Sequence, residues 1–350
     1  MVNNEMSSMK KSIIPIITAF LLFLFFTLCF AQTPLKVTFI DVGHGDCILI
    51  QTPDDGKKGN GKYEGNIILI DGGEYKEGNK VIIPYLKSHG VPQNSSIDYL
   101  ILTHAHSDHL GGLIPVIENY NIKAILDPGY DPPQNIRKNN IGDGEKKKRT
   151  GYPEFLKLAR EEKNCKFYRP LIGTVIKKEG DTLNWGSELQ VRVLNSKKVA
   201  KDPNNTSIVI RLQYGEVGFL LVGDAEGKER KDSADVLKFV EKDLVNEYGN
   251  ALKSTFLKAG HHGSESSSTN AFIDAVSPQY VIICVGNKKF SGTLLPDKSV
   301  LGRYEKRHIK IYRTDRDDES KDSAETSGDD HIVITTDGTL MGTKIDYYSG

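Results

Sequence analysis

The chain has 350 residues with 46 basic against 46 acidic, so its bulk charge offers no electrostatic footprint for a nucleic acid. Beyond residue 32, Cys47, Cys165 and Cys284 remain, an odd and scattered set that excludes a disulfide framework and a cysteine-based zinc site. A chain of this length can instead rest on a hydrophobic core, and the short basic run "EKKKRT" (145–150) reads as solvated loop.

At the N-terminus, Lys10 and Lys11 precede "SIIPIITAFLLFLFFTLCFAQ", an uncharged apolar stretch with small Ala31 before Gln32. This is the layout of a secretory signal, which divides the chain into residues 1–31 and a mature domain, 32–350. Export to the periplasm or beyond follows, with no membrane span left after removal. Retention as an N-terminal anchor is the other reading, since the stretch approaches the ~20 residues that span a bilayer.

Past that segment, β-branched apolar runs bounded by turn residues predict strands at 35–41, 47–52 and 66–73. A helix is expected at 79–90, kinked or started late by Pro84, then a strand at 96–104, a helix from 108 to 120 and a strand at 123–128. The polar Pro/Gly-rich stretch 129–151 reads as a loop, and 152–164 as a helix. The second half repeats the pattern. Strands are expected at 188–196, 206–215 and 217–225, a helix at 226–249, then strand 254–260, helix 268–278, strand 279–286, helix 296–307 and strand 308–314. An acidic loop, 315–330, precedes a closing hairpin at 331–342. Two rounds of clustered strands followed by strand–helix alternation favour one α/β domain with two helix-faced sheets.

Five of the nine histidines lie in two short stretches, "ILTHAHSDHLGG" (101–112) and "GHHGS" (260–264), each at the C-terminal end of an apolar strand. Active sites of α/β folds collect there. His104 and His106 on one side and Asp108 with His109 on the other suit two adjacent divalent ions with N/O ligands. The plainer reading is a capping turn, with Ser107 or Asp108 as the helix cap. Asp224 in "FLLVGDAE" (219–226) is a candidate bridging carboxylate. Of the neighbouring pair His261 and His262, one can coordinate metal while the other contacts substrate or moves protons.

"THAHSDHLGG" matches the HxHxDH signature of the metallo-β-lactamase superfamily, and "DVGHGDCILI", "LIDGG", "NNTSIVIRL", "LLVGDAE" and "LKAGHHGS" follow in order. Together they resemble the extracytoplasmic hydrolase domain of ComEC-type competence (DNA uptake) proteins over roughly residues 35–314. The resemblance implies a four-layer αββα sandwich. It implies His104 and His106 on one ion, Asp108 and His109 on the other, Asp224 bridging, and a histidine of "HHGS", His262, completing the metal set. It leaves His261 and Asp108 to act on substrate and nucleophile, and places Asp71 and Asp46 behind the metal loop. Two departures stand out: "PNNTS" (203–207) where many members carry a histidine ligand, and a histidine-free "NKKFSGTLLPDKS" (287–299) where the branch commonly carries "GHPH".

Two divalent ions, Zn²⁺ or Mn²⁺, or one if the departures cost a ligand, would then activate water for attack on a phosphodiester, nucleic acid among the candidates. The competing expectations are hydrolysis of a non-phosphate ester or lactone, and a catalytically impaired DNA-binding or uptake accessory.

Overall fold

The computed structural model describes residues 33–53, 65–130, 151–169, 175–176, 185–186, 188–197, 200–287, 289–290, 292–316 and 327–348. The expected signal segment, most of the 129–151 loop and most of the acidic 315–330 stretch lie outside the described residues.

Alternation of side chains along the strands builds the layers. In Ile48–Gln51, Ile48 and Ile50 enter one apolar cluster and Leu49 another. In Val217–Leu221, Phe219 and Leu221 face that same first cluster while Leu220 faces a third. The shared cluster is the seam between two sheets. The other two lie between each sheet and its own helices, so the order of layers is αββα. Each aliphatic side chain fully buried in these seams contributes about 1.5–3 kcal/mol.

The first sheet runs Lys344–Tyr348, His331–Thr336, Leu35–Phe39, Ile48–Gln51, Ile67–Ile70, Tyr99–Ile101, Ala124–Leu126, Lys166–Tyr168. It is antiparallel up to Ile67–Ile70 and parallel thereafter. The second runs Lys310–Arg313, Tyr280–Ile283, Phe256–Lys258, Val217–Leu221, Val209–Tyr214, Leu189–Asn195, Val175–Ile176, with its first four strands parallel. The C-terminal ends of the parallel strands from both sheets meet along one edge, where every expected site residue lies.

Several elements depart from the sequence expectations. The strand expected at 96–104 is interrupted at Asp98, whose Oδ2 accepts from Ile67 N at 2.8 Å and whose Oδ1 pairs with Lys123 at 2.6 Å. The expected helix at 79–90 begins earlier, at Tyr75, and passes through a π-helical turn, Gly78–Ile82, before Ile83–Ser88, which carries Pro84 in its first turn. Of the expected helix at 226–249 only Phe239–Tyr248 forms. Lys228 is fully buried upstream, and its ammonium collects the carbonyls of Glu229, Arg230 and Asp232, so the chain wraps the cation instead of coiling. The closing hairpin extends beyond 342, because His331–Thr336 turns back through Lys344–Tyr348. Among the described residues no helix is long and apolar enough to cross a membrane.

Candidate metal centre

Residues after four strand ends build the cleft. The first sheet sends Asp71 after Ile67–Ile70 and Thr103–His109 after Tyr99–Ile101. The second sends Asp224 after Val217–Leu221 and His261–His262 after Phe256–Lys258. Three of these residues hold left-handed backbone, Asp71 at φ 57°, His261 at φ 44° and His262 at φ 52°. For non-glycine residues such angles cost of order 1–3 kcal/mol each and gather where function fixes the geometry.

Hydrogen bonds settle which nitrogen of each imidazole faces the cleft. His262 Nδ1 donates to Cys284 O at 2.7 Å, which turns its Nε2 toward the cleft. His109 Nδ1 meets Asp71 Oδ2 at 2.8 Å, so its Nε2 also points inward. Asp71 is held in turn by Thr103, whose N and Oγ1 donate to it at 2.8 and 2.6 Å. Thr103 Oγ1 also lies 3.1 Å from His104 Nδ1, and since its proton is committed to Asp71 it accepts there, freeing His104 Nε2 for the cleft.

Those free atoms converge. His262 Nε2 lies 3.2 Å from Asp224 Oδ2 and 3.5 Å from Asp108 Oδ2, while His109 Nε2 lies 3.3 Å from both Asp224 Oδ2 and His262 Nε2. Donors on one ion at about 2.1 Å stand about 3.4 Å apart in a tetrahedron, so the trio His109 Nε2, His262 Nε2 and Asp224 Oδ2 fits a divalent cation, with Asp108 reaching it beside His262. A second group meets the same carboxylate oxygen. His104 Nε2 is 3.1 Å from His106 Nδ1 and 3.8 Å from Asp224 Oδ2.

Asp224 can serve both groups through one oxygen because Lys258 holds the other. The fully buried Lys258 ammonium lies 3.4 Å from Asp224 Oδ1, 2.6 Å from Asp46 Oδ2 and 2.9 Å from Gly223 O. Burial opposes its charge, but Asp46 and Asp224 outweigh that and raise its pKa. Asp46 approaches His262 and His109 only at their Nδ1 atoms, 3.5 and 3.9 Å away. Because those nitrogens already serve Cys284 and Asp71, Asp46 stands behind the imidazoles as the partner of Lys258, although it groups with His109, Asp224 and His262 by proximity.

The electrostatics show the same demand for positive charge. Burial works against ionisation of Asp108, yet the hydrogen bond from His262 and the charge of His109 hold its carboxyl well below the usual range. Asp224 is likewise held low against its burial by His262, His109 and Lys258. Burial also disfavours a charged His262, but Asp224 and Asp108 push it up to about 9.

His261 stands apart from this cluster. Its Nδ1 lies 3.2 Å from Glu226 Oε1 and 3.2 Å from Ser266 Oγ, with Asn204 Nδ2 at 3.3 Å. The Pro203–Thr206 turn thus presents Asn204 to His261. Neither residue expected to cap the helix at 107 does so. The cap position is His106, Ser107 Oγ donates to Glu74, and Asp108 turns to His262.

Sequence reasoning missed Lys258 and Glu226. "LKAGHHGS" carried a signal for the first, since a lysine inside a strand buried at every position needs an acid partner.

A family model described as "Metallo-beta-lactamase superfamily" matches residues 40–287. ComE operon protein 3 of Bacillus subtilis (strain 168) is 29% identical over 301 residues, covering 80% of this chain and 32% of that protein. Competence protein ComA of Neisseria gonorrhoeae is 28% identical over 286 residues, covering 81% and 31%. The chain thus spans about a third of the length of these curated relatives. Among solved structures, the metallo hydrolase Igni18 from Ignicoccus hospitalis aligns with a TM-score of 0.45 at 12% identity, covering 81% of this chain and 96% of that one.

Proposed function

Since the chain belongs to the metallo-beta-lactamase superfamily, we propose that it is an exported metal-dependent hydrolase of phosphodiesters, nucleic acid strands among them. The observation that carries the metal reading is the facing of His109 Nε2 and His262 Nε2 across 3.3 Å with Asp224 Oδ2 against both, three acceptors that only a cation or a proton can join. Divalent ions held there supply Lewis acidity and acidify coordinated water to near-neutral pH.

The chain's own residues do the rest. Asp71 and Thr103 hold His109 and His104 in the tautomers that aim Nε2 inward. Lys258 commits Asp224 to a shared oxygen. The His104–His106–Asp224 group has three protein donors, which leaves a position for water or substrate, as catalytic sites require. His261, 28% exposed at its side chain and paired with Glu226, stands beside the cleft as a group able to meet an anionic substrate or move a proton.

Two observations support the substrate class. The relatives that match over four-fifths of this chain carry competence names. The donor set is imidazole and carboxylate without cysteine, which suits Mn²⁺ as well as Zn²⁺ and phosphate oxygens as substrate. The test is a comparison of substrates with the chelator-stripped protein reloaded with Mn²⁺ or Zn²⁺. Turnover of bis(p-nitrophenyl) phosphate and single-stranded DNA, with none of a β-lactam or a lactone, is expected. Turnover of the β-lactam or lactone alone would place the enzyme in another substrate class, and DNA binding without turnover would make it an accessory protein.

A further inference from the structure

The loop between Leu35–Phe39 and Ile48–Gln51 also enters the cleft, and its backbone is fixed on three sides. The Asp41 carboxylate accepts from Gly43 N at 2.9 Å, Gly328 N at 2.6 Å and Asp329 N at 3.1 Å. Asp46 N donates to Asp108 O at 3.3 Å. Gly45, at φ 142°, lies so close to the metal loop that a Cβ there would stand 2.3 Å from Asp108 O. Only glycine permits that approach. Between these anchors sits His44, 4% exposed, with its ring 4.4 Å from the His262 ring and its Nε2 3.9 Å from Asp108 Oδ2.

We propose that His44 is a ligand of the ion on the Asp108 side of the cleft, joining Asp108 and His262. The inference rests on the metal reading above but not on the phosphodiester one. One donor atom from each of the three residues lies within 4.8 Å of the others. The 3.9 Å between His44 Nε2 and Asp108 Oδ2 is too long for a hydrogen bond. It falls inside the roughly 4.2 Å that separates opposite ligands on an ion with bonds of about 2.1 Å, so the pair fits a wide angle of a five-coordinate centre. A ligand at that position lies on the first sheet's antiparallel half, so the centre would draw on three loops of that sheet, not two.

The test titrates Co²⁺ into the chelator-stripped full chain and its H44Q variant, reading uptake calorimetrically and the visible spectrum of each equivalent. Wild type is expected to take two equivalents. In H44Q one equivalent should bind unchanged, while the other should weaken at least tenfold and lose its wild-type spectrum. A smaller loss, an unaltered spectrum, or a wild type that takes one equivalent overturns the proposal. H44N carries the same test should Gln disturb folding, with thermal unfolding of the metal-free proteins as the control. If His44-dependent binding holds but wild type turns over no phosphodiester, the substrate reading fails and the ligand assignment stands.

Discussion

His109 and His331 are both buried imidazoles, one in the cleft and one at the start of the closing hairpin, and their surroundings drive them in opposite directions. Around His109, carboxylates from Asp224 and Asp71 outweigh the cost of burial and hold its pKa well above the ordinary range. His331 has burial as its main influence and is pushed down to about 4; its Nδ1 accepts from Asp41 N at 2.9 Å, and Tyr85 and Tyr348 pack on its ring. Burial alone therefore yields a neutral structural histidine. A centre built for cations needs a ring of carboxylates, which surrounds His109 and not His331.

The largest break in this contrast should come from the shared carboxylate. D224N keeps the shape and removes the charge, and is expected to lower metal-dependent turnover by ~10³-fold or more, measured with metal content on the same samples. K258M should follow. Removing a buried cation leaves Asp46 and Asp224 uncompensated, for a loss of about 3–5 kcal/mol in denaturant unfolding, partly restored in K258R.

For the hairpin region the expectation concerns pH. The folded His331 ring binds a proton more weakly than the unfolded one, so its contribution is complete above pH 6.5 and is lost as pH falls toward 4. The span is up to about 3 kcal/mol. Urea unfolding of wild type and H331Q across that window isolates it from Asp41, which burial raises to about 7 and which tilts the opposite way. A pH dependence that H331Q leaves intact contradicts the assignment. The smallest effect should belong to D71N, which weakens the hold on His109 and is expected to lower metal affinity 10–100-fold with little change in fold, read by metal titration.

The architecture was legible because the core strands are short β-branched apolar runs bounded by turn residues, with Ile48–Gln51, buried at every position, as a plain case. The candidate ligands were legible because the HxHxDH stretch and Asp224 follow strand ends directly. Lys258 was not, since its partners lie 212 and 34 residues away in sequence and strand patterning treats a lysine as an exposed position. His44 escaped notice for a similar reason, because the glycines beside it read as a turn and only the docking on Asp108 O brings it to the cleft. The first part of the helix expected at 226–249 failed because local propensity carries no sign of a buried ammonium that recruits backbone carbonyls.

The central claim is that Asp224 joins two donor groups into a hydrolytic metal centre. Its most direct measurement is phosphodiester turnover by the chelator-stripped protein as Mn²⁺ or Zn²⁺ is added back in known equivalents. Turnover that rises with bound metal in wild type and stays absent in D224N is the expected result. Full metal occupancy without turnover, or turnover that D224N retains, would contradict it.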